Sequence, residues 1–160
     1  MALTNSLKAK DLFENIKDGP RIGDALRQLG QIEEQLDHFA LSLDYFQQAL
    51  KIFNSFNDNI YIVNTTNDIG NVYMKIGDLK NAKKFLLKTI ELSKEQHINS
   101  TLAGAFHDLG KIYTEAQDYN NARKVLNKSK TISEKENINL GIIEAYEALS
   151  NLDYYENRYN

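Results

Sequence analysis

An all-α array of repeated helix pairs is predicted by three observations. The stretch Asn67 to Asp78 returns in close copy as His107 to Asp118, so that Gly70 and Gly110 mark a period of 40 residues. Stepping one period outward lands on Leu29-Gly30 and on Leu149-Ser150. A single proline and eight glycines leave little room for strands and turns, while Leu, Lys, Glu, Gln and Ala dominate. A repeated unit of this length buries its apolar face only against its neighbours, so the period outranks local signals.

The composition is that of a folded soluble chain, with 42% hydrophobic and 26% charged residues. A net charge of −3 argues against a nucleic-acid binder, whose phosphate contacts need a concentrated basic surface. No apolar run reaches the length of a membrane span and the amino terminus lacks a signal-peptide layout. With no cysteine, disulfides and thiolate metal sites are excluded. The expectation is a cytoplasmic protein that touches neither nucleic acid nor membrane.

Taken in order, the chain opens in a helix over about 2–17 that aligns without gaps to later second helices, through Ala9 with Ala49, Thr89 and Ser129. Asp18-Gly19-Pro20 ends it, and Pro20 suits the first turn of the next helix, where its missing N–H costs nothing. That helix, about 20–36, has a stripe of Ile22, Leu26, Leu29, Ile32 and Leu36, and its partner over 38–56 answers with Phe39, Leu43, Phe46, Leu50 and Phe53. Helices over 59–76, 78–96, 100–116, 118–136 and 139–156 follow, eight in all. Gly77-Asp78 and Gln117-Asp118 read as a helix end followed by a cap, and Asn59, Asn99 and Asn139, with Gly19 in the first unit, fall where an N-cap acceptor is expected. In repeat terms the chain divides into 1–22 (second helix of a truncated repeat), full repeats at 23–62, 63–102 and 103–142, and 143–160 (first helix of another truncated repeat). Such a frame is that of a segment of a larger protein. Apolar residues at its ends, Leu3, Leu7 and Leu12, then Tyr146, Leu149, Tyr155 and Tyr159, predict self-association through the end helices.

The unit resembles the tetratricopeptide repeat. The resemblance rests on the column Gly30, Gly70, Gly110 and Ser150, on the small columns Ser42, Ala82 and Ala122 and Ala9, Ala49, Thr89 and Ser129, and on the aromatics Tyr73 and Tyr113, which Glu33 and Asp153 replace in the outer units. Its 40-residue period is similar to the long variety in polarity adaptors, bacterial peptide sensors and segments of signalling regulators. The resemblance implies a right-handed superhelical solenoid of antiparallel helix pairs, whose small column lets the helices cross closely and whose first helices line a concave, peptide-binding face. Carried onto this chain, that face holds Arg27, Gln28, Gln31, Asn67, Asp68, Asn71, His107, Asp108, Lys111, Glu147 and Asn151. With Asp68 and Asp108 central, a clamp for terminal carboxylates is disfavoured, and a neutral or basic protein or peptide segment is the expected partner.

Other chemistries find little support. His38, His97 and His107 lack the i, i+3 or i, i+4 partners of helical metal sites, so no metal or cofactor is expected. Glu33-Glu34, Asp153 and Glu156 read as solvated helix faces, and no phosphate loop or nucleophile elbow occurs, so no enzyme is expected. Two functions compete: a peptide-binding scaffold in a bacterial signalling or regulatory protein, and a sensory or dimerisation spacer that positions a kinase or transcription-regulator domain without a groove ligand.

Overall fold

The computed structural model describes residues 18–159 and, before them, Leu7, Lys8, Asp11, Leu12 and Asn15. Those five residues of the helix expected over 2–17 are helical; its other residues, with Leu3 and Ala9, and the Tyr159 side chain lie outside that description. Seven helices follow one another from residue 19: α1 Gly19–Gln35, α2 Phe39–Phe56, α3 Asn59–Ile76, α4 Leu79–Glu95, α5 Asn99–Glu115, α6 Tyr119–Lys135 and α7 Asn139–Tyr159. Each lies within three residues of its predicted bounds, and no strand occurs among the described residues. The chain forms two compact units, residues 1–78 and 79–160. In the first, α2 packs on α1 and α3, and α1 meets α3; in the second, α4 to α7 pack in sequence and α5 meets α7.

The packing explains the columns. A Cβ on Gly30 would sit 2.7 Å from Phe46 Cδ1, and one on Gly110 would sit 2.4 Å from Leu126 Cδ2, so at both crossings the second helix occupies the place of a side chain. Phe46, Leu126, Ser42, Ala82, Ala122, Ala49, Thr89 and Ser129 are all buried to 1% exposure or less. In the first unit Leu26, Ala49 and Phe53 form a core cluster, with Tyr61 stacked on Phe53 at 4.6 Å; in the second, Ala122, Leu126 and Leu152 do so. The stripes are narrower than predicted. Leu36 caps α1 at 52% exposure, and on α7 Ile143 and Tyr146 face outward while Ala145 and Leu152 are buried.

The helix ends follow a rule of their own. A left-handed residue recurs every 20 positions, at Asp37, Asn57, Gly77, His97, Gln117 and Asn137. After each, the next N–H returns to a carbonyl five residues back, as in Asp58 N–H to Phe53 O at 3.0 Å and Asp118 N–H to Tyr113 O at 2.9 Å. These are Schellman-like bonds that satisfy carbonyls orphaned at a helix end. The N-caps sit one residue before the predicted asparagines: Asp18 accepts from Arg21 N–H and Asp58 from Tyr61 N–H. Asn59, Asn99 and Asn139 are instead the first helical residues, and Ile98 caps α5 without a side-chain acceptor. Asp118 caps α6 as expected.

All four carboxylates expected in solvent are engaged, Glu34 by Lys75 at 3.1 Å. Glu33 is buried at 3% exposure, its Oε2 2.8 Å from Nδ1 of His38, which begins the next helix. Asp153 and Glu156 on α7 both receive hydrogen bonds from Nη2 of Arg123 on α6. Their spacing of three places both on the α7 edge beside α6.

Candidate functional site

In the first unit the first helices α1 and α3 join through a carboxylate. Arg27 Nε donates to Asp68 Oδ2 at 2.7 Å and Gln31 Nε2 reaches the same oxygen at 3.5 Å. Two turns on from the Arg27–Asp68 pair, Lys75 Nζ lies 3.1 Å from Glu34 Oε1. Burial pushes the Asp68 carboxyl above its usual range, against the charge and hydrogen bond of Arg27; Glu34 adds to the upward push and Gln31 opposes it. Asn67 and Asn71 lie a turn apart on α3, each with its Oδ1 buried and without a hydrogen-bond partner.

In the second unit the corresponding helices, α5 and α7, leave an open cavity of about 420 Å³ between them. His107, Lys111, Thr114 and Glu115 line it from α5, and Glu144, Glu147, Ala148, Asn151 and Tyr155 from α7, with Leu126 of α6 also in its wall. His107 is 7% exposed, and its buried Nδ1 lacks a hydrogen-bond partner. The nearest carboxylate oxygen in an ion pair with it, Glu144 Oε2, is 3.8 Å away, too far for a hydrogen bond. Burial holds the imidazole below its usual value and Lys111 lowers it further, whereas Asp108, Glu144 and Glu147 pull it up. His107 is therefore neutral at neutral pH. Asp108 engages Lys111 at 3.3 Å along its own helix.

A family profile described as tetratricopeptide repeat matches residues 61–135. Those residues belong to the tetratricopeptide repeat family. No curated protein matches the chain in sequence. Among solved structures, aspartyl phosphate phosphatase F from Bacillus subtilis aligns with a TM-score of 0.88 at 15% identity, over 96% of this chain and 40% of its own. BtubC (BKLC) from P. vanneervenii aligns with a TM-score of 0.84 at 13% identity, over 97% of this chain and 65% of its own. The Rap conjugation gene regulator of plasmid pLS20, solved in complex with the Phr* peptide, aligns with a TM-score of 0.64 at 12% identity, over 79% of this chain and 41% of its own. At these identities the likeness is one of fold, and the chain spans less than two thirds of the length of each.

The tetratricopeptide register makes the two faces directly comparable. The three contacts that close the first face, 27 to 68, 31 to 68 and 34 to 75, fall two periods later on 107 and 148, 111 and 148, and 114 and 155. There the pairs read His107 with Ala148, Lys111 with Ala148, and Thr114 with Tyr155, and all five residues line the cavity. A carboxylate has become a methyl group and an ion pair has become a hydroxyl beside a ring. The cavity thus lies where the first unit, two repeats earlier, holds its salt bridges. Of the residues singled out in the sequence, Arg27, Gln31 and Asp68 meet in one network, while His107, Lys111, Glu147 and Asn151 meet around the cavity. Thr114 and Ala148 escaped the sequence reading as members of this face, and Tyr155 entered it only as an end-helix aromatic. Their signal is a pairing offset of 41 against a repeat of 40, which column inspection passes over.

Proposed function

We propose that this chain is a non-catalytic scaffold that binds a peptide or protein segment on the face of its first helices, and that the second unit supplies a pocket for a basic side chain of that segment. The observation that carries the reading is the replacement of the three closing contacts of the first face by an open cavity at the same register. Around that cavity stand Glu115, Glu144 and Glu147, while the cation among its lining residues, Lys111, is engaged by Asp108 and His107 is neutral. A lysine or arginine entering beside Ala148 and Leu126 would place its aliphatic stem on apolar wall and its charge among carboxylates. The complex of a Rap regulator with a peptide on a similar fold supports peptide as the ligand class.

Isothermal titration of the 160-residue chain with a capped peptide library that contrasts one central lysine with glutamate tests this. The lysine series is expected to bind more tightly, and the combined Glu144→Gln and Glu147→Gln variant to lose at least tenfold of that affinity. Equal binding of both series, or undiminished binding by the variant, would overturn the assignment.

A further inference from the structure

A second hollow, of about 380 Å³, lies on another face of α5 and is bounded by α4 and α6. Leu102, Phe106 and Ile132 give it an apolar interior, with Phe106 only 5% exposed, and Thr131 stands at its edge. Two exposed lysines from different helices converge on its aromatic floor: Lys94 Nζ is 5.6 Å and Lys128 Nζ 5.3 Å from the Phe106 ring centroid. Both fall within cation–π range of one ring, yet neither has a carboxylate at ion-pair distance among the described residues. Two like charges gathered over one apolar hollow repel each other, and an anionic partner relieves that repulsion. The repeat does not require the arrangement. One period earlier Lys94 and Phe106 become Asn54 and Thr66, and one period later Glu134 and Tyr146.

We infer that this hollow is a second docking surface, independent of the polar face, for a peptide segment in which an aliphatic side chain is flanked by carboxylates. The aliphatic group enters between Leu102, Phe106 and Ile132, and the carboxylates meet the Lys94 and Lys128 ammonium groups at the rim. Its volume lies at the lower end of the roughly 300–1,000 Å³ of ligand pockets, the scale of one or two side chains. Exposed Glu91 and Glu95 on α4 and Glu134 on α6 would repel a broad anionic surface, so a short acidic segment fits better than an anionic membrane. The polar cavity favours a basic side chain, and this hollow favours the opposite charge.

Amide chemical shifts of the 15N-labelled chain, titrated with an acetylated, amidated Gly-Glu-Leu-Leu-Glu-Gly peptide, provide the test. Saturable shifts centred on Leu102, Phe106, Lys128 and Thr131 are expected, weakening with added salt. Lys94→Glu with Lys128→Glu should lower the affinity at least tenfold at unchanged circular dichroism, and Lys94→Arg with Lys128→Arg should retain it. The counterpart peptide with lysine in place of glutamate should leave these amides unmoved. Shifts centred on the His107 cavity, equal binding of the lysine peptide, or unchanged affinity of the charge-reversed variant would each overturn the proposal. So would shifts at the same amides with vesicles of phosphatidylglycerol and phosphatidylcholine when the acidic peptide produces none.

Discussion

The first-helix faces of the two units share a backbone plan and differ in what occupies it. Between α1 and α3 a buried carboxylate is held by Arg27 and Gln31; between α5 and α7 the same register ends on a methyl group and an open cavity. The crossing beneath is alike in both, with Gly30 under Phe46 and Gly110 under Leu126. A repeat therefore conserves its geometry through its small residues while its polar face is set unit by unit. An ion pair closes the face of one unit, and where the other unit lacks it a cavity of about 420 Å³ is open.

The largest effect expected is one the two units share. Gly30→Val and Gly110→Val each force a side chain into Phe46 or Leu126, and each should cost about 2–3 kcal/mol in denaturant unfolding. A cost at one site alone would show that the crossings are not equivalent.

The aspartates should behave unequally. Asp68→Ala leaves Arg27, whose side chain is 19% exposed, without its carboxylate. Because burial already disfavours the ionised Asp68, the loss should sit at the low end of the range for a stranded buried polar group, about 1 kcal/mol. Asp108→Ala removes an i, i+3 pair with a Lys111 that is 52% exposed, and should move stability by less than about 0.5 kcal/mol. Equal losses in chemical denaturation would erase the distinction between the closed and the open face.

The open face should also be the pH-sensitive one near neutrality. His107 is lowered from its ordinary 6.5 in the folded chain, so as pH falls the unfolded chain takes up this proton first. Stability is then lost as pH falls below about 6.5 toward the lowered folded value. His107→Gln removes that contribution, and its thermal midpoint should fall less than the wild-type midpoint between pH 7.5 and 5.5. Parallel falls would place the sensitivity elsewhere.

The smallest expected effect concerns the turns. Gln117 holds the left-handed position that Gly77 holds at the end of the first unit. A left-handed conformation costs a non-glycine residue roughly 1–2 kcal/mol, against roughly 0.5–1 kcal/mol for the chain entropy that glycine adds, so Gln117→Gly should stabilise by about 0.5 kcal/mol. A lowered midpoint would show that the glutamine side chain contributes at this turn.

The sequence by itself determined the period, the helices and the crossings. Apolar spacing and small residues act through local geometry, and the same crowding at two crossings, against Phe46 and against Leu126, selects Gly30 and Gly110. It also brought out Arg27, Gln31, Asp68, His107 and Lys111 as polar residues of the first helices, although His107 is buried. Only the tertiary structure decided which of them pair. Arg27 finds Asp68 because side chains of neighbouring first helices meet 41 positions apart, one column off the repeat, and two periods on the same step ends on Ala148. The same holds for Glu33, which the sequence places with solvated acids and the fold buries against His38. The 20-residue recurrence of left-handed turns was also hidden. Asp, Asn, Gly, His and Gln all satisfy it, because the backbone bonds that close those turns require a conformation and not one particular side chain.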